Sequence, residues 1–71
     1  MMNWNKLTDF LKSLKCSFEK KECLLIVAQR KHKQAIEAAH IEEIHANDNC
    51  TEVYIYTEHV AGQGDWITIS I

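Results

Sequence analysis

Long hydrophobic runs are missing from this chain. From Met1 to Lys15 polar residues interrupt the apolar ones every second or third position, so neither a secretory leader nor a membrane span is expected there. An excess of one charge is missing too. Eight Lys and Arg stand against 10 Asp and Glu, a net charge of -2, and with the signs read as interspersed no general attraction to nucleic acid or anionic membranes follows. No glycine-rich phosphate loop is present, nor a Cys-x-x-Cys pair or a histidine doublet at zinc-finger spacing. Repeats, low-complexity tracts and linkers are equally absent. The cysteines, Cys16, Cys23 and Cys50, are odd in number. That speaks for reduced thiols acting as small buried side chains in a cytoplasmic protein, not for a disulfide framework.

The chain is also short. Its 71 residues, 46% of them hydrophobic, suffice for one core, so residues 1–71 are expected to form a single domain. Such a domain has little stability to spare for a catalytic cleft, and pairing of two copies is a common way to hide apolar surface. The expectation is therefore a non-enzyme without cofactor or membrane contact, and a homodimer.

What is present is patterned. Trp4, Leu7, Phe10, Leu11 and Leu14 recur at steps of three and four, which predicts an amphipathic first helix with Asn3 as its cap. The charged stretch Glu19-Lys20-Lys21-Glu22 precedes the apolar run Cys23–Ala28, which reads as a buried central strand. The rival reading is one long helix from Ser17 to His45. Between Lys31 and Ala46 strong helix formers without Gly or Pro predict a second helix, ended by Asn47-Asp48-Asn49. Val53, Ile55 and Thr57 then alternate with Tyr54, Tyr56 and Glu58. After the glycine-containing loop Ala61–Asp65, Trp66, Thr68 and Ser70 alternate with Ile67, Ile69 and Ile71, which completes a C-terminal hairpin. The expected fold is α+β, order α-β-α-β-β. Two helices would pack on a mixed three- or four-stranded sheet containing one right-handed parallel crossover.

Four features bear on function. One face of the hairpin gathers Tyr54, Tyr56 and Trp66, side chains of the kind enriched at protein interfaces. Either this face is bare and binds a partner, or the first helix covers it with Trp4, Leu7 and Leu14 and the rings are core. A bare aromatic sheet could instead stack single-stranded nucleic acid, with Arg30, Lys31 and Lys33 holding phosphates. That basic cluster, placed at the start of the second helix, is a candidate contact for an anion or an acidic partner; its plainer reading is a solvated turn. Glu37-x-x-His40 and Glu42-x-x-His45 are spaced like di-iron ligands, but such sites need four facing helices and no metal is expected. Cys50 near His45 allows a minimal thiol enzyme, although no orienting group or oxyanion donor is identifiable. His40, between Ile36 and Ile44, is expected on the apolar side of its helix.

The leading expectation is a small non-catalytic protein-interaction module, an adaptor or inhibitor of the kind carried by phages and mobile elements. Its contacts would be Tyr54, Tyr56 and Trp66.

Overall fold

In the computed structural model, which describes residues 2–71, Ser17 opens a helix where the sequence suggested the approach to a strand. Its hydroxyl accepts the Lys20 amide at 3.2 Å, capping one of the free N–H groups of the first turn. The charged residues before Cys23 are thus the first turns of α2 (Phe18–Lys31), not the flank of a strand. Glu19 lies near its start and Arg30 and Lys31 near its end, each on the side that the helix dipole favours. Of the apolar run only Leu24 and Ala28, four residues apart, are fully buried, while Ile26 faces out. The predicted central strand at Cys23–Ala28 is therefore a one-sided helix.

Helix α1 spans Met2–Ser13 and buries Leu7 and Leu11, as its spacing implied. Asn3 does not cap it. Its amide Nδ2 instead donates to the carbonyls of Ile36 and Ala39 at 2.7 and 2.8 Å. The predicted second helix shrinks to α3, Lys33–Ala38, which starts after a break at His32 and buries Ile36. The rest of that segment is strand β1, Ile41–Ala46, and this also removes the long-helix alternative.

Strands β2 (Glu52–Val60) and β3 (Gln63–Ser70) form the expected C-terminal hairpin. Its tip is Ala61-Gly62, with Gly62 at φ 79, a region open to glycine at no steric cost. Both strand pairs are antiparallel in the order β1-β2-β3. The class is α+β as anticipated. Among the described residues the sheet has three strands rather than four, it is not mixed, no parallel crossover exists, and the order is three helices followed by three strands.

All six elements feed one core: Leu7, Leu11, Leu24, Ala28, Ile36, Ile41, Val53, Ile55 and Ile69 form a single cluster. Each fully buried Leu, Ile or Val among them contributes roughly 1.5–3 kcal/mol. On β2 the buried residues are Val53, Ile55 and Thr57, so by strand alternation the helices occupy one face of the sheet and leave the other uncovered. Thr57, buried on the same side of β2, donates its hydroxyl to the Asp65 carbonyl at 3.2 Å.

A disulfide joins Cys16, in the α1–α2 loop, to Cys50, in the β1–β2 loop. This overturns the expectation of three reduced thiols. The sequence offered no pairing signal because the partners are 34 residues apart and meet only through the packing of helices on sheet. Cys23 is free and exposed, not buried. The β1–β2 loop is closed by Asn47, whose Oδ1 accepts the amides of Thr51 and Glu52, both at 2.9 Å. Cys50 sits there at φ 59, a left-handed conformation that costs a non-glycine residue on the order of 1 kcal/mol. Among the described residues no helix is long and apolar enough to cross a membrane.

Candidate functional site

The uncovered face follows from register. Residues directly opposite on antiparallel strands project to the same side, and Tyr56 is paired with both Glu43 and Trp66, Tyr54 with both His45 and Thr68, and Glu52 with Ser70. One continuous outer face therefore holds Glu43, His45, Glu52, Tyr54, Tyr56, Trp66 and Thr68. Trp66 is 54% exposed, and Tyr54 and Tyr56 are half-buried against their neighbours. Trp4, Leu7 and Leu14 belong to the opposite, helical layer and pack on the core. The alternative in which the first helix covers the rings does not hold.

The rings are ordered by one another. Tyr56 and Trp66 have centroids 5.0 Å apart at 51°, a tilted contact worth about 0.5–1.5 kcal/mol beyond its area. Trp66 also reaches His45 on the far strand, with centroids 6.1 Å apart. His45, Tyr54, Trp66 and Thr68 enclose a shallow depression of about 380 Å³. Tyr54 is held from the side: its hydroxyl donates to Glu52 Oε1 at 2.6 Å, and Ser70 Oγ donates to Glu52 Oε2 at 3.2 Å. The Glu52 hydrogen bond, then partial desolvation and the carboxylate's charge, push the Tyr54 phenol above its usual value. His45 Nε2 lies 3.1 Å from Glu43 Oε1.

Charge is divided between the layers. Every Lys and Arg lies at or before Lys33, in the helical half, together with Asp9, Glu19, Glu22 and Glu37. The sheet half carries Glu42, Glu43, Asp48, Glu52, Glu58 and Asp65, and no Lys or Arg. The reading of interspersed charge is corrected by this segregation. It was visible in the chain, since no basic residue follows Lys33, but it is obscured by a net charge near zero.

The other candidates fall apart in space. Arg30 and Lys31 end α2 and Lys33 begins a six-residue helix. The basic cluster is thus not at the N-terminus of a long helix, and it lies in the layer opposite the aromatic rings. The arrangement gives phosphates no cation beside a stacked base. Cys50 is bonded to Cys16, while the His45 ring contacts Glu43 and Trp66, so no Cys–His pair forms. His40 is exposed beside Glu42 at 2.8 Å, not on a helix. Among the described residues no three His, Cys, Asp or Glu side chains gather as metal ligands. No protein-family model matches the chain, and neither a curated protein nor a solved structure matches it.

Proposed function

We propose that the chain is a protein-interaction module whose contact surface is the outer face of the sheet, centred on Tyr54, Tyr56 and Trp66. The observation that carries this reading is the uncovered aromatic cluster. A small domain that leaves Trp66 more than half exposed beside two tyrosines presents the amphipathic side chains that dominate binding hot spots. Their mutual contacts hold the rings before any partner arrives, which lowers the entropy cost of association. Self-association through this face is disfavoured by charge, because each copy brings Glu43 and Glu52 to it and no Lys or Arg.

Site-specific photo-crosslinking tests the proposal. A benzoylphenylalanine at Thr68, on the outer face, should trap a discrete partner in cells that make the protein, and Trp66→Ala should abolish the product. The same reagent at Asp9, on the helical layer, should trap none. Equal trapping from both positions, or indifference to Trp66→Ala, would place the interaction elsewhere.

The disulfide bears on location. Such bonds persist in oxidising compartments and are opened in the cytosol, so Cys16–Cys50 supports an oxidising setting over the cytoplasmic one that the sequence suggests. Alkylating intact cells before lysis reads this directly: one labelled cysteine, Cys23, in the first case and three in the second.

A further inference from the structure

Resting on the outer sheet face as the contact surface, we infer that its occupant is a basic, arginine-bearing segment of a partner protein, with one guanidinium seated over Trp66 in the depression beside Tyr54 and His45. Three observations converge on that chemistry. First, β2 alternation places Glu52, Tyr54, Tyr56 and Glu58 in a row on the same side. This row spans about 20 Å at 3.3 Å per residue, with a carboxylate at each end and rings between. Glu43 adds a third carboxylate beside Tyr56. Second, the sheet half contains no Lys or Arg, so the only partners of these carboxylates on the face are His45 beside Glu43, the Tyr54 and Ser70 hydroxyls on Glu52 and the Gly62 amide on Glu58, among the described residues, and no permanent cation offsets their charge. Third, the exposed indole of Trp66 is the aromatic surface that attracts a cation most strongly, and a planar guanidinium can both stack on it and bond a carboxylate, which an ammonium does less well.

The same charges argue against other occupants. Nucleic acid would bring phosphates to an acidic face. A second copy presenting the same face would add its own carboxylates and bring no Lys or Arg to meet them. A second copy presenting its basic helical layer would meet the charge requirement, but that contact is head-to-tail and would build open chains whose size grows with concentration.

The test is chemical-shift mapping of the 15N-labelled full chain with octa-arginine at 150 mM salt, with octa-lysine and oligo(dT) as comparators. Octa-arginine should shift the amides of His45, Tyr54, Tyr56 and Thr68 and the Trp66 indole, and leave Leu7, Leu24 and Ile36 in place. It should bind several-fold tighter than octa-lysine. Trp66→Ala should weaken it about tenfold and the pair Glu43→Gln with Glu52→Gln several-fold, with unchanged core resonances showing that both variants are folded. Equal binding of the two peptides, shifts spread over both layers, or shifts produced by oligo(dT) overturn the inference. So do outer-face shifts that depend on the protein's own concentration without peptide. If Thr68 crosslinking traps a partner while octa-arginine leaves the face unmoved, the partner chemistry is wrong and the contact surface stands. If crosslinking also fails, the surface itself was misread.

Discussion

The Tyr56 ring lies across Gly64. A Cβ at position 64 would stand 2.7 Å from the Tyr56 hydroxyl oxygen and 2.8 Å from its Cζ, and would run into the Thr57 carbonyl oxygen. The absent side chain is what lets Tyr56 lean along the sheet while Trp66 leans towards His45. Gly64→Ala should therefore displace backbone as well as ring, at a cost of about 2–3 kcal/mol and a fall in Tm on the order of 10 °C. Gly62→Ala meets nothing within 4 Å but needs φ +79, and should cost about 1 kcal/mol. Thermal unfolding by circular dichroism should rank wild type above Gly62→Ala above Gly64→Ala; the reverse order would mean that the hairpin tip, not the Tyr56 seat, limits stability.

The disulfide ties the helical layer to the sheet across a 34-residue separation. Closing a loop of that length in the unfolded chain stabilises the folded one by roughly 4 kcal/mol. Cys16→Ser, or reductant added to wild type, should lower the unfolding free energy by a similar amount, read as a fall in the denaturant midpoint. Cys23→Ser should change it by less than about 0.5 kcal/mol, as expected of an exposed position. A thiol assay on the native, unreduced protein should count one reactive cysteine.

Two elements differ from the sequence expectation, each for its own physical reason. At Ile41–Ala46 the residues Ile41 and Ile44, three apart, look helical. In the strand Ile41 is buried in the core and Ile44 packs against it, half-buried, because the register shifts between Ile41 and Glu43; a bulge inserts one residue and so converts a spacing of three into one face. At Cys23–Ala28 an unbroken apolar run hides the four-residue step from Leu24 to Ala28, and the better signals were Ser17 as cap and the opposite charges at the two ends of α2. The first helix, the hairpin and the membership of the aromatic face were legible because each rests on local periodicity alone. Whether that face was bare was not legible, since it depends on which side of the sheet the helices choose. The disulfide and the Asn3 tie were hidden for the same reason: they join residues brought together only by tertiary packing.

Asn3 fastens the start of α1 to the end of α3 through two donated hydrogen bonds. Asn3→Ala leaves the Ile36 and Ala39 carbonyls without these partners, and is expected to cost about 1–3 kcal/mol. Asn3→Asp keeps the shape, removes both donors and sets a carboxylate against two carbonyl oxygens. It should destabilise at least as much as alanine at neutral pH. Urea unfolding of the two variants decides whether the tie is made by the amide donors or by side-chain packing; a neutral Asn3→Asp would point to packing.

Tyr54 offers a test by titration. Its phenol is raised above the usual 10.0, chiefly by the hydrogen bond it donates to Glu52, then by desolvation and by the Glu52 charge. A raised value in the folded state means that the folded chain holds this proton more tightly than the unfolded chain does. The contribution to stability is therefore complete below pH 10 and is lost as the pH climbs through the raised value. Absorbance at 295 nm should show the Tyr54 phenol ionising late, above the ordinary tyrosine range. In Glu52→Gln the carboxylate acceptor and its charge are gone, so the lag should close, with Tyr54 returning towards its ordinary value. If the lag survives the substitution, desolvation beside Trp66 and not Glu52 governs the phenol, and the carboxylate at that end of the aromatic row is less firmly engaged with Tyr54 than the 2.6 Å contact implies.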